Sequence, residues 1–143
     1  MPFEYRGDIA HADIAFNAWS ETLDKLFEEA ARATMQVMVE NWADIRPEEK
    51  VELKLDQSDA EMLLFDFLNE LVFYKDARKL VLLPSRISIE ESEEGWTLQA
   101  TLQGEEIDPA RHRLNTDVKA VTMLRFALMK VKEGWRATVV LDV

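Results

Sequence analysis

Two stretches of this 143-residue chain share a pattern that limits what it can fold into. "ISIEESEEGWTLQATLQ" and "FALMKVKEGWRATVVLD" each read as an alternating run, a charged turn ending in Glu-Gly-Trp, and a second alternating run. Alternation with period two marks a half-buried strand. Gly95 and Gly134 supply the positive φ that tight hairpin turns often need. The second half of the chain therefore reads as hairpins, with strands over 80–83, 86–90, 96–103, 118–131 and 135–142. Pro84 predicts a bend or bulge between the first two.

The first half mixes periods. "DIAFNAW" alternates and predicts a first strand, and Ser20 is placed to cap a helix. Beyond it Leu23, Leu26, Phe27, Ala30, Thr34, Val37 and Met38 keep the three-and-four spacing of an amphipathic helix, ending near Asn41 and before Pro47. "VELKL" predicts another strand. "SDAE", Ser58 to Glu61, has the form of a capping box and opens a second helix. That helix is apolar almost all round from Met62 to Tyr74, apart from Asp66, Asn69 and Glu70. No linker divides the chain, so residues 1–143 read as a single domain. The expected class is α+β: a two-layer, mainly antiparallel β-sheet with two α-helices packed on one face.

Charge narrows the partners. Lys and Arg number 17 against 28 Asp and Glu, a net charge of −11. Strong direct binding to a nucleic-acid backbone is not expected of such a chain; a basic protein or a cation suits it better, although the charge also serves solubility. With no cysteine, disulfides, thiolate catalysis and sulfur-ligated zinc are excluded. No apolar run approaches the roughly 18 residues of a membrane span, and the amino end lacks a signal-peptide pattern. A cytoplasmic protein that does not contact a membrane is the simplest expectation.

Few residues carry recognisable chemistry. His11 and Asp13 in "HADIAF" form a His-x-Asp pattern that suits a ligand pair or an acid–base pair, or else an ordinary loop histidine beside a hydrated aspartate. At the other end Asp142 and the carboxylate of Val143 offer hard oxygen donors of the kind Ca²⁺ and Mg²⁺ prefer. If the first and last of these strands are neighbours, Asp13 joins them and three negative groups meet. Spacing alone leaves a cation site and a set of hydrated carboxylates equally open. Lys119 can neutralise such a group, reach a phosphate, or pair with Asp117. Asp66 and Glu70 share a helix face that reads as a solvated stripe. His112 falls in a polar loop and is expected at the surface. The four tryptophans and six methionines read as core or hairpin residues. No phosphate-binding glycine loop, dinucleotide fingerprint or nucleophile elbow is present.

Taken in order, "HADIAFNAWSETLDKLFEEAA", "LLFDFLNELVFYKD", "GEEIDPARHRLNTDVKAVT" and "EGWRATVVLDV" resemble the archease family over nearly the whole chain. The resemblance implies a small accessory protein and not an enzyme. Its partner would be the RNA ligase that joins tRNA halves in splicing, whose guanylation and repeated turnover archeases promote. It implies a divalent-cation site, Ca²⁺ with Mg²⁺ or Mn²⁺ as alternatives, at Asp13, Asp142 and Val143. Lys119 and His11 carry over as residues of ligase activation. Two departures stand out. The family's His-Thr-Ala-Asp-Ile reads "AHADI" here, without the threonine. The Tyr-His that follows Lys-Ala-Val-Thr is replaced by Met123 and Leu124. Two readings stand beside the accessory one: a metal-dependent phosphate-ester hydrolase, and a chaperone-like interaction module with a structural cation. Oligomeric state is not legible.

Overall fold

The computed structural model describes residues 2–6 and 13–143. Among them the order is β1 (Phe3–Arg6), β2 (Asp13–Ser20), α1 (Leu23–Met38), a 3₁₀ turn (Trp42–Asp44), β3 (Glu49–Gln57), α2 (Ala60–Arg78), β4 (Leu80–Ser92), β5 (Gly95–Glu106), β6 (Ala120–Val131) and β7 (Gly134–Asp142). The class is α+β with every strand pair antiparallel, as the alternation predicts. The strands divide into two sheets, ordered β1-β2-β7-β6 and β3-β5-β4. No described helix is long and apolar enough to cross a membrane.

The two Glu-Gly-Trp hairpins explain the division. In each half a strand leads into a helix, and a later hairpin returns its second strand beside that first strand. β5 pairs with β3 just as β7 pairs with β2. The register matches too: Ser92 faces Gly95 in one hairpin and Val131 faces Gly134 in the other. Both glycines adopt positive φ, 131° and 138°. A Cβ on Gly134 would also lie 2.3 Å from the Ser20 carbonyl oxygen, so only glycine fits there.

Helix α1 begins two residues later than Ser20 suggests. Ser20 is the last residue of β2, opposite Trp135, and Thr22 is the cap, its Oγ1 accepting from the Lys25 N–H at 3.3 Å. At the far end the helix stops at Met38 because the following segment is drawn into residues 111–116. The N–H groups of Asn115 and Thr116 donate to the Met38 and Val37 carbonyls, and Glu40 donates to Arg113. The helix-end carbonyls thus find partners outside the helix. For α2 the cap is Asp59 and not Ser58; its Oδ1 accepts from the Met62 N–H at 2.8 Å. β4 runs unbroken from Leu80 to Ser92, with the expected irregularity between Pro84 and Arg86.

Both helices contribute to one apolar cluster with strands of both sheets. Phe16, Phe27, Phe67, Leu63, Leu64 and Leu98 are fully buried there, each contributing about 1.5–3 kcal/mol of burial free energy. Phe27 of α1 meets Phe67 of α2 with ring centroids 5.6 Å apart. The polar stripe of α2 is not merely solvated. Gln57 donates to Asp66 at 2.8 Å, and Asn69 Oδ1 accepts the Val121 N–H at 3.0 Å, tying the helix to β3 and β6.

Candidate metal centre

The register of β2 against β7 is set by what each strand buries. Phe16 faces Val139, Ala18 faces Ala137, and Ile14 faces Leu141. A slip of one residue would turn these side chains out of the core. Asn17 and Thr138, also opposite each other, add a hydrogen bond from Thr138 Oγ1 to Asn17 Oδ1 at 2.9 Å. With the register fixed this way, the final pair of the ladder is Asp13 against Asp142. The start of β2 and the end of β7 therefore lie side by side.

Directly opposed residues place their Cβ atoms about 4.5–5.5 Å apart, and like charges so placed are destabilising. At about 5 Å two carboxylates repel by roughly 1 kcal/mol in water and about 3 kcal/mol at an effective dielectric of 20. Both aspartates are half-buried. Among the described residues neither has an ion-pair or side-chain hydrogen-bond partner. Val143, also half-buried, rests its side chain against the core, so the last residue is held rather than frayed.

Asp13 and Asp142, opposed and without a side-chain partner among the described residues, could hold a hard cation through oxygen donors, with the carboxylate of Val143 as a third. Among the described residues no three His, Cys, Asp or Glu side chains gather as a metal site.

Lys119 precedes β6, which borders β7. Its N–H donates to the Asp142 carbonyl at 2.8 Å, and its side chain is exposed. The alternative partner Asp117 is engaged elsewhere: buried Lys75 donates to Asp117 Oδ1 at 2.5 Å and to the Val118 carbonyl at 2.7 Å. Lys75 also meets Asp76 at 2.6 Å. Burial pulls the Lys75 pKa down, but these two carboxylates outweigh it and leave it above the ordinary lysine value. The segment leading to Lys119 is thus pinned by α2. His11 lies outside the described residues. Met123 and Leu124 are both exposed, where β6 loses register with β7 between Thr122 and Ala127 and Arg125 takes a φ of 52°.

A second polar cluster was not legible in the sequence. His112 is not at the surface but 2 % exposed. Its Nδ1 accepts the Asp108 N–H at 2.9 Å, which leaves the proton on Nε2, 3.5 Å from Glu105 Oε1. Glu105 takes two hydrogen bonds from Arg111, at 3.1 and 2.9 Å, and one from the Arg46 N–H. Burial pushes the Glu105 carboxyl up, but the Arg46 N–H and the Arg111 and His112 side chains hold it below the usual range. The cluster latches the 107–116 loop and serves structure. The acidic block followed by a basic one in "GEEIDPARHR" hints at local ion pairing but not at its burial. On α2, burial first and then Asp66 raise the Glu70 carboxyl; among the described residues no third carboxylate joins that pair.

A model of the Archease protein family matches residues 3–143. The chain is 34% identical to protein archease of Methanopyrus kandleri over 99% of both chains. It is 34% identical to protein archease of Pyrococcus abyssi over 92% of this chain and 93% of that one. Its fold is similar to the solution structure of Methanobacterium thermoautotrophicum protein 1598, with a TM-score of 0.83, 30% identity and 99% of each chain covered. It is also similar in fold to the crystal structure of a Thermotoga maritima protein described as "an archease, possible chaperone". There the TM-score is 0.63 and the identity 22%, covering 96% of this chain and 97% of that one. By its residues, its fold and the span of the match, the chain belongs to the archease family.

Proposed function

We propose that this protein is a non-enzymatic accessory factor of an RNA ligase of the tRNA-splicing type, promoting ligase guanylation and repeated turnover through a divalent cation at its paired ends. The observation that carries the reading is the register setting Asp13 against Asp142 in a chain of this family. Asp13, Asp142 and the Val143 carboxylate would hold the ion, Ca²⁺ or else Mg²⁺ or Mn²⁺. Bound there, it would offset the carboxylates' repulsion and present positive charge to nucleotide phosphates. Lys119, joined to Asp142 through the main chain, offers an exposed ammonium as a second point charge for phosphate. The rest of the strongly acidic surface favours approach to a basic region of the ligase, with association weakening as salt rises.

The test is a guanylation and multiple-turnover assay of the ligase from the same organism, with and without this protein. Wild type should raise both readouts. Asp13→Asn, Asp142→Asn and Lys119→Ala should each lower the stimulation by about tenfold or more, the loss expected for a charged group on the activating surface. Full stimulation by both aspartate variants counts against the reading. Hydrolysis of nucleotides or RNA by the protein alone selects the hydrolase instead.

A further inference from the structure

The two halves of the fold differ in one informative place. In the hairpin of β6 and β7, Lys130 sits opposite Trp135, and its ammonium lies over the indole, 5.7 Å from the ring centroid. The matching pair in the hairpin of β4 and β5 is Glu91 opposite Trp96. Trp96 therefore has a carboxylate where its counterpart has a cation, and among the described residues no cation covers its ring.

The surroundings of Trp96 repeat this bias. The indole is half-buried at the boundary of two grooves. One, of about 410 Å³, lies at the start of α2 and includes Asp59, Glu61 and the facing Leu128 and Trp135. The other, of about 540 Å³, includes Asp56 and Glu94. Among the described residues lining either groove there is no lysine or arginine. Such a place sets a half-buried indole beside several carboxylates with no lysine or arginine in the groove lining, the combination that attracts a guanidinium or ammonium group. It lies at the opposite end of the strands from Asp142, since β7 starts at Gly134 and ends at Asp142, and the two hairpin turns share that end.

We propose that the Trp96 grooves receive an arginine or lysine side chain from a basic segment of a partner protein, in the way that Lys130 already serves Trp135 within the chain. A protein segment is favoured over a free small cation because the grooves, about 410 and 540 Å³, far exceed the volume of one ion and include apolar as well as acidic wall, Leu128 and Met62 among it. The proposal does not rest on the ligase reading or on the cation at Asp142.

A labelled arginine-glycine repeat peptide and a control peptide with glutamine for arginine supply the probe, with binding read by anisotropy and by the Trp96 indole N–H shift in NMR. The arginine peptide should bind wild type and move that signal; the glutamine peptide should do neither. Glu91→Lys, at an exposed position that does not touch the core, should occupy the ring from within and weaken binding by about tenfold or more, as loss of a cation–π contact and reversal of a charge require. Glu48→Lys, the same charge change at another exposed position, should have a far smaller effect. Lys130→Glu should free the Trp135 ring in the same groove and strengthen binding of the arginine peptide. Equal weakening by Glu48→Lys and Glu91→Lys, or no movement of the Trp96 signal, overturns the proposal. A concentration-dependent dimer that Glu91→Lys abolishes assigns the grooves to a second copy of the chain and overturns it as well.

Discussion

Glu105 shows how a single buried charge ties stability to pH. Its folded pKa lies below the value in the unfolded chain, because the Arg46 N–H, Arg111 and His112 outweigh the effect of burial. The stabilisation is therefore complete above the ordinary carboxylate value, about 4.3. It shrinks as pH falls below that value and is gone once pH passes the depressed one. Lys75 works in the opposite sense. Its raised pKa contributes fully below the ordinary lysine value and is lost only as pH climbs past the raised one. Acid sensitivity thus traces to Glu105 and not to Lys75. Glu105→Ala leaves Arg111 and His112 without their partner and should cost about 3 kcal/mol at neutral pH. Urea unfolding between pH 3 and 7 should show its acid limb flattened relative to wild type. An unchanged pH slope would show that the cluster contributes little. Its members are polar residues in a polar stretch, and only the fold reveals that His112 and Glu105 are enclosed; no spacing in the sequence encodes it.

At the scale of elements, the caps offer a clean comparison. Asp59→Ala removes the side chain that accepts the Met62 N–H and should cost about 1 kcal/mol, while Ser58→Ala should change stability by less than about 0.5 kcal/mol. Equal effects in thermal or urea unfolding would return the cap to Ser58. The sequence pattern located both helices and most strands, because their periods are long and regular. It placed the caps one or two residues early, because Ser20 and Ser58 are good capping residues by type, and nothing local shows that Ser20 is still in the β2–β7 ladder. Gly134→Ala should destabilise by about 2 kcal/mol or more, since it combines positive φ with a Cβ driven onto the Ser20 carbonyl. A loss under about 0.5 kcal/mol would show that the turn relaxes freely.

Across the whole molecule, the repeated strand–helix–hairpin plan brings the first and last long strands together and closes each half on itself. Alternation told which residues face the core but not which strands would pair, since β2 and β7 are joined by contacts about 120 residues apart along the chain, as in the bond from Thr138 to Asn17. Asp13 and Asp142 were readable as residue types, and their juxtaposition depended on that long-range pairing. Opposed like charges destabilise the end of the ladder, so Asp142→Asn should stabilise the ion-free protein by about 0.2–1 kcal/mol and, on the proposed cation site, abolish any response to calcium. The most direct test is thermal unfolding of wild type and Asp142→Asn across a calcium titration. The account predicts a wild-type Tm that climbs with calcium as binding to the folded state requires, and an Asp142→Asn Tm that starts higher and stays flat. Parallel curves for the two proteins, or a wild type indifferent to calcium, magnesium and manganese alike, would contradict it.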